Sequence, residues 1–127
     1  MDIDPTFGTD VQIDILEWEY WKEYQPLHFD VIACSPPCTK YSQAMTTRPR
    51  DLEYADKLAK KALEIVDYFQ PKFWFLENPQ TVLLKSRPFM KGLPYVDVVY
   101  CCFSEWGYKN RLEFGVTKGW DFCQCQM

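Results

Sequence analysis

At 127 residues, 47% apolar and 17% aromatic, the chain is long and apolar enough for one domain with its own core, which excludes a disordered segment. A net charge of −4 argues against a protein that coats nucleic acid through charge alone. No apolar run reaches the ~18 residues of a membrane span. The acidic first 30 residues lack the basic and apolar regions of a secretory signal. An intracellular protein is expected, in cytoplasm, nucleoid or nucleus, and not secreted.

Taken in chain order, Val11–Leu16 alternates as a short strand, and the acidic, aromatic Glu17–Pro26 reads as a helical turn or loop. Phe29–Ser35 is a near-continuous apolar run of the kind a buried parallel strand needs, stopped by Pro36-Pro37. Asp51–Phe69 is the clearest helix. Leu52, Ala55, Leu58, Ala59, Ala62, Ile65, Val66 and Phe69 fall on one stripe, Asp51 suits the N-cap, and Pro71 marks the stop. Lys72–Leu76 is a second buried strand, ending at Glu77-Asn78-Pro79. Thr81–Met90 reads as a short helix interrupted by Pro88. Tyr95–Cys102 and Arg111–Thr117 alternate as strands, with Trp106-Gly107-Tyr108 in the turn region between them.

Strand, long helix, strand is the βαβ pattern of an α/β fold with a doubly wound, mostly parallel sheet. The last two strands lie too close for a helical crossover, so an antiparallel pair is expected at one edge. In such sheets ligands bind beyond the carboxyl ends of the strands. Both proline-bounded motifs fall there.

Charge is uneven along the chain. Residues 1–30 hold eight acids and one base, and the remainder is net +3. Thr39–Arg50 carries Lys40, Arg48 and Arg50 without an acid, and Gln80–Tyr95 carries Lys85, Arg87 and Lys91 without one. The plain reading of such clusters is a solvated face; their place directly after the two motifs raises the weight of a nucleic-acid contact. Six cysteines are present, Cys34, Cys38, Cys101, Cys102, Cys123 and Cys125, without the repeating spacing of zinc pairs, and no metal site is expected. The lone histidine, His28, reads as a loop or strand-start residue, and Trp18, Tyr20, Trp21 and Tyr24 as packing aromatics.

The first motif is Ser35-Pro36-Pro37-Cys38-Thr39-Lys40-Tyr41-Ser42. Two prolines fix the backbone and can hold the next side chain, Cys38, out over the end of the sheet. A thiolate is the nucleophilic form of cysteine, and a nearby cation such as Lys40 favours it. The competing reading is a small buried residue in a tight loop. The second motif, Glu77-Asn78-Pro79, follows Phe73-Trp74-Phe75-Leu76. A carboxylate at the end of an apolar strand is expensive unless solvated, paired or used. The competing reading is an ordinary turn acid.

Together the motifs resemble the C5-cytosine-specific DNA methyltransferase family, whose Pro-Cys motif is followed at a similar interval by Glu-Asn-Val or Glu-Asn-Pro. Cys38 and Glu77 stand 39 positions apart, and Tyr41-Ser42 matches the aromatic and serine that follow the family's cysteine. The resemblance implies a Rossmann-like sheet, S-adenosyl-L-methionine as methyl donor, and a cytosine flipped from DNA as substrate. It assigns Cys38, Glu77 and Arg111 to catalysis and Pro37, Tyr41, Ser42, Asn78 and Pro79 to the substrate. Asp2 or Asp4 matches the family's ribose-binding acid, Asp14-Ile15 its adenine-side pair, and Pro36 completes the cofactor set.

The same comparison sets expectations of difference. No counterpart of the family's first strand and Phe-x-Gly-x-Gly loop is found, so residues 1–127 are expected to form a single partial methyltransferase-like domain with weakened cofactor binding. A second chain completing the fold is one expectation. Arg111-Leu112-Glu113 keeps one arginine of the family's Gln-x-Arg-x-Arg segment and places a glutamate at the second. The alternatives are a catalytically deficient remnant acting as a binding module, an RNA cytosine-5 enzyme, and an amino-group methyltransferase.

Overall fold

The structure is a computed structural model, and it describes residues 1–41, 51–79, 83–99 and 111–116, the stretches 96–99 and 111–116 as backbone. The described elements are a helical turn α1 (Tyr20–Glu23), strand β1 (Val31–Cys34), helix α2 (Leu52–Phe69), and strands β2 (Phe73–Pro79), β3 (Tyr95–Val99) and β4 (Arg111–Val116).

Helix α2 forms where the 3.6 period places it. Asp51 caps it by accepting from the Tyr54 N–H at 3.0 Å. It ends at Gln70, which adopts a left-handed conformation before Pro71. The Leu27 N–H takes up the Phe69 carbonyl at 3.0 Å, one of the acceptors a helix end leaves open. Ala55, Ala59, Ala62, Ile65, Val66 and Phe69 of the expected stripe are buried, while Leu52 and Leu58 are half-buried.

The sheet runs in the order β1-β2-β4-β3. Strands β1 and β2 are parallel, in register from Val31 opposite Phe73 to Cys34 opposite Leu76. Helix α2 provides the crossover between them. The expected antiparallel pair of the last two strands is present, at the edge away from β1. Strand β4 also runs antiparallel to β2, so one pairing among the described strands is parallel and two are antiparallel. The mostly parallel sheet expected from the sequence is therefore a mixed one over these residues.

Strand side chains alternate between faces, and burial along β2 follows: Trp74, Leu76 and Asn78 are buried, Phe73, Phe75, Glu77 and Pro79 half-buried. The buried face packs with Ala55, Ala59, Ala62 and Val66 of α2, together with Tyr41 and Leu84. A second cluster of Trp18, Tyr20, Ile65 and Phe69, flanked by Phe29 and Tyr68, fastens the first 30 residues to the far end of α2. Full burial of Phe69 contributes ~1.5–3 kcal/mol.

Three local expectations change. Val11–Leu16 forms no strand; it retains one parallel bridge, Gln12 to Asp2, and a turn. Strand β2 does not stop at Glu77 but runs through Pro79, because β4 pairs alongside from Phe75 to Pro79. Of the helix expected over 81–90, the described residues 83–90 form a pair of 3-10 turns, Leu84–Ser86 and Pro88–Met90, separated where Pro88 lacks a donor.

Candidate active site

The Pro-Pro turn leaves β1 at its carboxyl end, and the Glu77-Asn78-Pro79 motif forms the carboxyl end of the neighbouring, parallel β2. Asn78, 3% exposed, donates from Nδ2 to the Pro36 carbonyl at 2.9 Å and to the Glu77 carbonyl at 3.0 Å. That contact joins the two motifs directly. The Asn78 Oδ1 is buried and meets no hydrogen-bond donor among the described residues. Alternation sets Glu77 on the face of β2 opposite Asn78, away from α2, where it is half-buried.

Cys38 is a free, half-buried thiol that packs at the margin of the core cluster. Its carbonyl accepts from the Tyr41 N–H at 3.0 Å, closing a turn over 38–41. Four residues earlier, burial pushes the Cys34 thiol up to about 11, so Cys34 stays protonated near neutrality.

Tyr41, expected beside the substrate, is fully buried. Its hydroxyl donates to Asp56 Oδ1 at 2.9 Å, and its carbonyl accepts from the Leu83 N–H at 3.0 Å. Asp56 in turn receives two-pronged donation from Arg87, Nε at 3.0 Å to Oδ1 and Nη2 at 2.6 Å to Oδ2. Burial works to raise the Asp56 carboxyl, but Arg87 and Tyr41 outweigh it and hold the group below the ordinary carboxylate range. Burial and the Asp56 carboxylate together raise the Tyr41 phenol. The half-buried Arg87 guanidinium is therefore engaged by Asp56, although its basic stretch raised the weight of a nucleic-acid contact.

Sequence reasoning missed Asp56 altogether. The available signal was a carboxylate at the edge of the apolar stripe, four positions after Leu52 and three before Ala59.

Along the edge of β1 that no described strand pairs lies a cavity of about 490 Å³. All four β1 residues line it, together with Asp2, Asp14, Ile15, Pro36 and Pro37. Four residues of the expected cofactor set thus meet at one cavity. Asp4 does not line it; its carboxylate accepts from the Thr6 N–H at 2.8 Å and hydroxyl at 2.7 Å, and is held below its ordinary range by those bonds. One oxygen each of Asp2 and Asp14 is likewise engaged, by the N–H groups of Asp4 and Leu16 at 2.9 Å.

In register, Glu113 of β4 stands opposite Asn78 on one side and Asp97 on the other, and Phe114 stands opposite Glu77. Arg111 pairs with Val99, one position past the Leu112–Pro79 pair. Ser42 lies outside the described residues, as do Arg48, Arg50, Cys101, Cys102, Trp106, Cys123 and Cys125.

These features define an α/β protein with a cysteine following one strand, a carboxylate near the end of its neighbour, and a cavity along β1 that neither of the two lines. The family model for C-5 cytosine-specific DNA methylases matches residues 7–126. The chain is also 37% identical over 115 residues to a probable DNA (cytosine-5)-methyltransferase of Frog virus 3 (isolate Goorha), with 81% of this chain and 53% of that protein covered. The chain belongs to the C-5 cytosine-specific DNA methylase family. It spans about half the length of that relative.

Proposed function

We propose that this chain carries the cytosine-reacting residues of a DNA cytosine-5 methyltransferase, as a partial domain over residues 1–127. The observation that carries the reading is the Asn78–Pro36 hydrogen bond, which brings the turn bearing Cys38 to the strand end bearing Glu77. Family membership supports DNA as the substrate and S-adenosyl-L-methionine as the methyl donor.

Cytosine C5 is a poor nucleophile. Addition of the Cys38 thiolate at C6 forms an S–C6 bond and turns the ring into an enamine, with charge developing at N3. The Glu77 carboxyl group, held over N3 and the exocyclic amine, stabilises that charge and selects cytosine. After C5 is alkylated, loss of its proton expels the Cys38 thiolate and restores the ring. The base must leave the duplex to reach both groups. Pro37, Ser42 and Pro79 are assigned to its surroundings, Asn78 to holding the two motifs together, and Arg111 to supporting them from β4.

The cavity beside β1 fits the methyl donor in kind: its volume of about 490 Å³ lies in the range of small-molecule sites, with apolar walls and few polar groups. Asp2 and Asp14 would hold ribose hydroxyls and the adenine amine, with Ile15 and Pro36 against the ring. When bound there, S-adenosyl-L-methionine supplies an electrophilic methyl group.

The test is product identity. Chain, DNA and methyl donor are incubated and the nucleosides separated by mass spectrometry. 5-Methylcytosine that disappears with Cys38→Ser is expected. An N-methylated base would move the reading to amino-group transfer, and DNA bound without methylation would move it to a binding module.

A further inference from the structure

We propose that Tyr41, Asp56 and Arg87 form a clamp that positions Cys38, the three acting through the backbone rather than by touching substrate; this rests on reading Cys38 as the nucleophile. Hydrogen bonds and the chain between them close a ring through Tyr41, Leu83, Leu84, Arg87 and Asp56, with Cys38 attached to it through Tyr41. The Cys38 carbonyl takes the Tyr41 N–H, and the Tyr41 carbonyl takes the Leu83 N–H, each at 3.0 Å. The Tyr41 hydroxyl reaches Asp56 at 2.9 Å, Asp56 grips Arg87, and the Arg87 N–H returns to the Leu84 carbonyl at 3.0 Å. Three parts of the chain meet there: the turn after β1, the second turn of α2, and the segment after β2.

The materials of the ring suit positioning. Fully buried Tyr41 stands three residues from Cys38 and has one rigid ring, so its hydroxyl bond fixes the turn. The Asp56–Arg87 pair is planar and two-pronged, which sets direction as well as distance. Asp56 itself is 8% exposed, and a carboxylate that deep would be an unusual choice for solubility alone. Leu83 and Leu84 then link the ring to the chain that follows Glu77.

Cys34 supplies an internal control, because it lies on β1 in the same core cluster but outside the ring. Tyr41→Phe removes one oxygen and keeps the ring's volume. Loosening only the clamp should speed alkylation of Cys38 by iodoacetamide several-fold while leaving Cys34 unchanged, the two being resolved by fragment mass spectrometry. The rate of adduct formation with 5-fluorocytosine DNA and methyl donor should fall about tenfold, with affinity for DNA unchanged. Asp56→Asn should behave alike, and Arg87→Lys should recover less than half of what Arg87→Gln loses.

Equal acceleration at both cysteines would mean that the ring serves only general stability, and unchanged Cys38 alkylation in Tyr41→Phe would overturn the clamp. A parent chain that forms no adduct speaks against the methyltransferase reading, and the ratio of the two alkylation rates still decides the clamp.

Discussion

Asn78 and Pro36, 42 positions apart in sequence, are joined by a 2.9 Å hydrogen bond from the asparagine amide to the proline carbonyl. Pro36 has no N–H of its own, so its carbonyl is its one backbone contribution, and a buried side chain from the next strand satisfies it. The consequence is chemical as well as structural. The backbone on either side of this bond leads to Cys38 in one direction and Glu77 in the other.

Replacing Asn78 by alanine leaves the Pro36 carbonyl without that donor and opens a small void. A loss of about 1–3 kcal/mol in unfolding free energy is expected, measured by urea denaturation. Methyl transfer should fall more steeply than stability accounts for. Full activity in a destabilised Asn78→Ala would show that the bond holds the fold and not the site.

The sequence revealed the βαβ unit because its signals are local. Stripe, cap and stop all lie within Asp51–Pro71, and the apolar runs of β1 and β2 adjoin prolines. Val11–Leu16 misled because alternation alone does not make a strand; a partner is needed, and among the described residues Gln12 bridges only to Asp2. The continuation of β2 through Pro79 depends on β4, more than 30 positions on, and no local pattern announces it. Cys38, Glu77 and Asn78 stood out as candidates through their motifs. The link between Tyr41 and Arg87 was not legible because their shared partner, Asp56, stands 15 positions from one and 31 from the other.

The Asp56 carboxyl gives the clamp a pH signature. Its folded value lies below the ordinary 3.8, so the unfolded chain binds this proton first as acid is added. The stability it contributes is complete above about pH 4 and is lost as pH falls through the folded value. The parent should exceed Asp56→Asn by about 1–3 kcal/mol at neutral pH, with the gap closing in acid. A gap that stays constant as pH falls well below the ordinary 3.8 would contradict the assignment.

With its thiol pushed up to about 11, Cys34 should resist iodoacetamide at pH 8, where the thiolate is the reactive form. Labelling of Cys34 in the folded chain at the rate of an unfolded control would show that its burial is not maintained in solution.

Of the three acidic candidates near the amino terminus, Asp2 and Asp14 line the cavity and Asp4 does not. Asp14 lines the cavity beside β1, while Asp4 spends its carboxylate on Thr6. Asp14→Ala should weaken calorimetric binding of S-adenosyl-L-methionine by about tenfold, the loss of one hydrogen-bonded charged contact. Asp4→Ala should leave it unchanged. Equal losses would place the donor elsewhere.

The most direct measurement is covalent trapping. DNA bearing 5-fluorocytosine is incubated with the chain and S-adenosyl-L-methionine, and the modified peptide is sequenced by mass spectrometry. The fluorine cannot leave as a proton does, so the S–C6 bond should persist on Cys38 and vanish in Cys38→Ala. A crosslink mapped to another residue, or one that survives that substitution, would contradict the account.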